Sequence, residues 1–187
     1  MQKKIKMMIN QKEEHVMLNE KVVALLNDQI NKEFYSAYLY LDFSNFFEDK
    51  GLSGFANWYR IQAQEERDHA LLFYDYLHNN SEKVTLGAIA APDVELKELA
   101  DPLQEGLKHE MYVTDLIHTI YGAAKEVNDF RTMQFLDWFV KEQGEEEKNA
   151  NDLITKMELF GSDPRSLYLL DQELAARVYT APSLVLD

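Results

Sequence analysis

Cysteine is absent from this chain of 187 residues. That excludes disulfides, thiolate zinc sites, cysteine-ligated iron–sulfur clusters and a cysteine nucleophile. Any metal must be held by carboxylate, imidazole or amide groups, which suit hard or borderline ions. Glycine and proline are scarce, 7 and 4 in all, which leaves room for long uninterrupted helices. No stretch approaches the ~20 apolar residues of a membrane span. The opening "MQKKIKMMINQKEEH" starts basic but has neither a sustained apolar run nor a small-residue cleavage site, so it does not read as a secretory signal. Basic residues are in deficit: 19 Lys and Arg against 33 Asp and Glu give a net charge of −14. Such a surface repels phosphate backbones and attracts cations, which argues against a nucleic-acid partner. The expectation is a soluble, cytoplasmic, acidic protein with no membrane association.

What is present is apolar periodicity. Hydrophobic residues make up 46% of the chain, enough for one domain with a sizeable core. There is no internal repeat and no low-complexity block. Four long segments carry a helical stripe. The first opens near Asn19, a good N-cap, and aligns Val23, Leu26, Ile30, Glu33, Ala37, Tyr40 and Ser44. "DKGLS" breaks it, and Ser53 is the expected cap of the second, whose stripe is Tyr59, Ala63, Glu66, Ala70, Phe73 and Leu77. Asn79 and Asn80 mark its end. The third starts at "DPLQ", with Asp101 as cap, Pro102 at the first helical position and Gln104 completing a capping box. Its stripe is Leu103, Leu107, Glu110, Thr114, Ile117, Tyr121 and Ala124. "VND" turns the chain into the fourth, which aligns Leu136, Phe139, Gln143, Glu146, Ala150, Leu153, Met157 and Phe160 before Gly161. A short fifth helix follows Asp163 and Pro164, and a tail containing Pro182 closes the chain.

The connection over residues 80–100 is long, mixed and turn-rich, which is uncommon in a compact domain unless it has a job. At ~3.3 Å per extended residue it reaches the ~40 Å length of a helix of about 27 residues. It lets the second and third helices run parallel while short turns make the other pairs antiparallel. The predicted fold is all-α: a four-helix bundle with one long crossover between helices two and three plus a short fifth C-terminal helix. The expected boundaries are an N-terminal extension over 1–17, the bundle over 18–160, and the fifth helix and tail over 161–187.

Every stripe carries a carboxylate near its middle. Glu33 lies 18 residues before Gly51 and Glu66 15 after it; Glu110 lies 18 before Asn128 and Glu146 18 after it. Antiparallel partners therefore bring all four to one level. No Lys or Arg lies on the four stripes to offset them. Desolvated, unpaired carboxylates repel, and one or two multivalent cations resolve the conflict. A single Glu on such a stripe reads more simply as a misassigned face, but four at matched depth with an imidazole at His69 point to metal.

"NKEFYSAYLY", "QAQEERDH", "LKHEMYVTDLI" and "WFVKEQGEEEK" resemble the non-haem bacterial ferritins, over about residues 18–176. The general pattern of the wider family has two E-x-x-H motifs. Here the fourth helix offers Gln143-x-x-Glu146, with Asn149 where a second His would stand. Arg67 follows Glu66 where the haem-binding relatives carry an axial Met, so no haem is expected. The resemblance implies that Glu33, Glu66 and His69 hold one iron and that Glu66 bridges to a second, held by Glu110 and Glu146 with Gln143 close by. It also implies a third iron at Glu65, Glu142 and Glu145, residues that read equally as a solvated acidic face. Tyr40 resembles the family's tyrosine beside the iron pair, with Trp138 near the same level; both fit equally as core aromatics. His15, His78, His109 and His118 lack such a setting and are assigned no role.

The activity implied is ferroxidase: two Fe(II) per subunit oxidised by O2 or peroxide, then stored as hydrated ferric oxide inside a homo-oligomeric shell of twenty-four subunits. Oxygen donors favour Fe(III) over Fe(II) and so assist the oxidation. The acidic pair lining the three-fold channel of animal ferritins falls at Met133 and Leu136 here, so the resemblance does not extend to that access route. The alternative is a non-storage di-iron oxidase or peroxidase of the same superfamily. A DNA-protecting mini-ferritin fits the net charge poorly, and a metal-free cytokine-like bundle leaves the matched carboxylates unexplained.

Overall fold

A computed structural model describes residues 18–186, and within them the chain forms five helices and no strands. These are α1 (Glu20–Asp49), α2 (Ser53–Asn79), α3 (Asp101–Glu126), α4 (Phe130–Phe160) and α5 (Pro164–Ala175). The extension expected over 1–17 lies outside the described residues. α1 packs most extensively on α2 and α3 on α4, the antiparallel pairs that the short turns dictate. Gly51 at φ 72° and Asn128 at φ 56° take the left-handed conformation in those turns.

Local chemistry sets most of the boundaries. The side chains of Asn19, Asp129 and Asp163 accept from the amides of Lys21, Thr132 and Ser166, capping α1, α4 and α5. Two expected caps fail. Ser53 is not the cap of α2; the cap position is Leu52 and makes no side-chain bond. The open amides of Gly54 and Phe55 instead donate to Oδ1 of the buried Asp171 on α5, at 2.7 and 3.1 Å. α2 is thus capped from 117 residues away. Asp101 turns backwards, accepting from the amides of Lys97 and Glu98 at 2.8 Å each, and α3 starts from Ala100 without a side-chain cap.

The stripes are those expected, with local shifts. Val22 and Ser36 are buried where Val23 and Ala37 were expected, and Phe160 is exposed because α4 ends there. The apolar core falls into two clusters. One joins Val22, Leu26 and Ile30 to Phe73, Leu77, Ile117, Phe135 and Phe139. The other joins Tyr40, Phe43 and Phe47 to Phe55, Tyr59, Leu103, Leu153 and two α5 leucines, Leu170 and Leu174. Between them lies a buried polar layer. The crossover spans both clusters: Val84 packs on the first, and Val94, Leu96 and Leu99 on the second. Asn27 and Asn31, one turn apart on α1, staple it through Thr85 N at 2.7 Å and Ala88 O at 3.0 Å.

Candidate metal centre

The polar layer consists of Glu33, Glu66, His69, Glu110, Gln143 and Glu146, all buried. Glu33, Glu66 and His69 come together: one ligand atom from each lies within 4.8 Å of the others. His69 Nδ1 is 3.5 Å from Glu66 Oε2, one turn along α2. Glu110 and Glu146 are not part of that compact set. Glu110 is turned elsewhere: Tyr40 donates its hydroxyl to Oε1, and Gln143 Nε2 donates to Oε2 at 3.1 Å. A cavity of about 20 Å³, room for one water-sized guest, is lined by Tyr40, Gln62, Glu110, Glu146 and Asn149.

Two residues unremarked in sequence terms complete the layer. Gln29 Nε2 donates to Glu33 Oε1 at 2.8 Å, and Gln62 Nε2 to Glu66 Oε1 at 3.3 Å. Each sits four residues before its glutamate, so a repeated Q-x-x-x-E was a readable signal. His109, assigned no role from sequence, bonds Ser36 at 2.7 Å and presents its ring edge-on to Tyr40. Burial pushes its imidazole down to about 4, so it is a neutral support for the Tyr40 ring. Trp138 lies edge-on to His69 with ring centres 5.5 Å apart.

The electrostatics are those of a site short of positive charge. Burial, before any neighbour, pushes Glu33, Glu66, Glu110 and Glu146 up to about 8 each. Mutual repulsion adds to it, Glu66 acting on Glu33 and Glu110, and Glu146 on Glu66. Burial and the same carboxylates hold the Tyr40 phenol well above its usual range. One buried oxygen, Glu33 Oε2, has no hydrogen-bond partner. Glu33 belongs to the same compact set as Glu66 and His69, and a buried oxygen left without a partner there is what a cation ligand requires.

Glu65, Glu142 and Glu145 lie at the margin, half-buried, half-buried and exposed, and among the described residues their carboxylates do not converge as Glu33, Glu66 and His69 do. Glu65 is raised chiefly by burial, with Glu142 adding to the effect and Arg177 opposing it. That arginine comes from the tail beyond α5 and binds Glu65 at 2.6 Å. No sequence signal connects residues 112 apart, and the contact was not foreseen.

A bundle with one crossover and a carboxylate–imidazole layer at mid-height defines a class, and the comparisons give the family. The Ferritin-like domain family matches residues 23–160, and the chain belongs to that family. Among curated relatives, the bacterial non-heme ferritin of Staphylococcus saprophyticus is 38% identical over 163 residues, covering 87% of this chain and 98% of that protein. A probable bacterial non-heme ferritin-like protein of Haemophilus influenzae is 37% identical, covering 84% and 96%. Among solved structures, an engineered closed form of the Archaeoglobus fulgidus ferritin superposes with a TM-score of 0.85 at 42% identity, covering 87% of this chain and 99% of that one. The open-pore ferritin of the same archaeon gives 0.84 at 42% identity, covering 86% and 98%.

Proposed function

We propose that the protein is an iron-storage ferroxidase. The observation that carries this reading is the buried Glu33–Glu66–His69 set with its unpartnered oxygen, at the level of two further buried glutamates. Iron is the substrate here. Glu33, Glu66 and His69 take one Fe(II); Glu110 and Glu146, with Gln143 beside them, take the second; Glu66 reaches both. Each ion gives up one electron, so two Fe(II) with O2 and two protons yield two Fe(III) and hydrogen peroxide. With peroxide as oxidant, two further protons are consumed and water is the product. Carboxylates that bind the ions release their own protons to these steps, and hard oxygen donors favour the ferric product. Tyr40 orients Glu110 by donation. Glu65, Glu142 and Glu145 form an onward position for a third iron.

The cargo reading adds a cytoplasmic shell of twenty-four copies in which ferric oxide accumulates. No helix among the described residues is long and apolar enough to cross a membrane. Its acidic surface favours cation uptake and mineral nucleation. The test is aerobic Fe(II) addition to the wild type and to Glu66→Ala, followed by iron per particle and particle mass by light scattering. The wild type is expected to oxidise its first two ions per subunit rapidly and to form a large particle that retains many more. Glu66→Ala should form the same particle but oxidise the first pair at least tenfold more slowly, a ~1.4 kcal/mol threshold. A wild-type monomer or dimer that oxidises iron without retaining it would make the chain a di-iron oxidase instead. Unchanged oxidation in Glu66→Ala would remove the ligand assignment.

A further inference from the structure

The tail beyond α5 makes a set of contacts that the proposed chemistry leaves unused. Asn57 Nδ2 on α2 donates to the backbone carbonyl of Arg177 at 3.1 Å, fixing the tail at that point whatever side chain it carries. The Arg177 guanidinium lies 4.1 Å from the centre of the Trp58 ring. Nη1 donates to the Trp58 carbonyl at 3.1 Å and to Gln62 Oε1 at 3.0 Å, while Nη2 donates to Glu65 Oε2 at 2.6 Å. The ion pair is largely buried, with both side chains 17% exposed. Because the oxygen of Gln62 is tied to the guanidinium, its amide nitrogen faces Glu66, to which it donates. One arginine therefore holds Glu65 directly and orients Glu66 through Gln62.

We propose that Arg177 is a resident cation at the Glu65 corner of the third-iron position, which a metal ion occupies only by displacing the guanidinium. This rests on the reading of Glu65, Glu142 and Glu145 as that position. The guanidinium keeps its charge at any working pH, and its planar fork and ring stacking match a carboxylate beside an indole. A divalent ion on the same carboxylate would sit within a few ångströms of that charge, a like-charge juxtaposition that weakens its binding. The two therefore compete for Glu65. When the guanidinium leaves, Gln62 loses its orienting partner and Glu66 loses a fixed donor. Filling the third position is in this way coupled to the bridging ligand of the first pair, and Arg177 is a positioning residue.

The geometry supplies its own reporter, since the chain has 2 Trp, Trp58 and Trp138. Zn(II), which does not change oxidation state, is titrated by calorimetry into the full-length Trp138→Phe protein and into the same protein carrying Arg177→Gln or Arg177→Lys. In the parent, two ions bind tightly and a third weakly, and the third alone changes Trp58 emission as the guanidinium leaves the ring. Arg177→Gln should bind the third ion about tenfold more tightly or better and lose the emission step. Arg177→Lys, charged but without the fork, should fall between them. A third-ion affinity equal in the parent and Arg177→Gln, or a third ion silent in Trp58 emission, would overturn the assignment. A parent that binds no Zn(II) pair at all would instead sink the ferroxidase reading on which the proposal rests.

Discussion

At the scale of single residues the site is a set of acids kept from ionising by their surroundings. Glu33, Glu66, Glu110 and Glu146 are pushed up to about 8, chiefly by burial, whereas in the unfolded chain they return to the ordinary carboxylate range. Between those two limits the folded ion-free protein holds more protons than the unfolded chain. Stability is therefore full below the ordinary range and is lost as pH rises towards 8. The melting temperature of ion-free protein should fall steadily from about pH 5 to about pH 8, and Glu66→Gln should flatten the slope. A melting temperature that rises over this window would mean that the layer is ionised without metal. The buried carboxylate–imidazole layer was legible because burial and charge conflict openly on a helical stripe. The supporting residues were less so. Gln29 and Gln62 read as ordinary polar residues until one asks what each glutamate finds one turn back, and His109 gives no sign that it packs on Tyr40.

At the scale of elements, what sequence pattern conveyed was periodicity and local capping; what it missed was capping from a distance. Asn19, Asp129 and Asp163 cap their own helices and could be read in place. α2 borrows Asp171, and nothing near Ser53 announces this. The borrowed cap ties α5 to the end of the bundle, and a close approach seals it: a Cβ on Gly54 would lie 1.7 Å from the Asp171 carbonyl oxygen. Asp171→Ala should cost about 1–2 kcal/mol, as losing an N-cap does, because two amide donors lose their acceptor. Gly54→Ala should cost more, since the backbone of α5 itself must move. Urea unfolding of both variants measures this, with helix content by circular dichroism as the control. A Gly54→Ala protein as stable as wild type would mean that α5 is not seated as described.

For the molecule as a whole, the important fact is that the core is interrupted. Two apolar clusters are separated by a layer of buried polar side chains whose ionisation the fold opposes. On the proposed ligand assignment the ions of that layer draw on both hairpins, α1–α2 and α3–α4, and their binding free energy becomes stability of the fold. Zn(II) held at a hundred times its dissociation constant should add about 2.7 kcal/mol to the unfolding free energy, and far less in Glu66→Ala. Equal stabilisation of the two proteins would place the ion elsewhere. The overall architecture was legible because the crossover is too long for any other job. Its stapling by Asn27 and Asn31, and the return of the tail over α2, involve partners too far apart in sequence for periodicity to register.

The polar layer has one further property, visible when its members are set side by side. Glu110, Gln143 and Glu146 each stand 77 positions after Glu33, Glu66 and His69 respectively. The two hairpins therefore repeat one spacing, although no contiguous similarity accompanies it, and the centre sits where the halves meet. The symmetry is one of position and not of chemistry. Where α2 places the carboxylate of Glu66, α4 places the amide of Gln143, and where α2 places an imidazole, α4 places a carboxylate. Gln143 uses its nitrogen to hold Glu110, whereas Glu66 keeps its carboxylate for the compact set. An even scaffold thus presents two unlike seats. On the proposed assignment the two ions are distinguishable before any chemistry begins, and the seat on the first hairpin, where three ligand atoms already converge, should fill first.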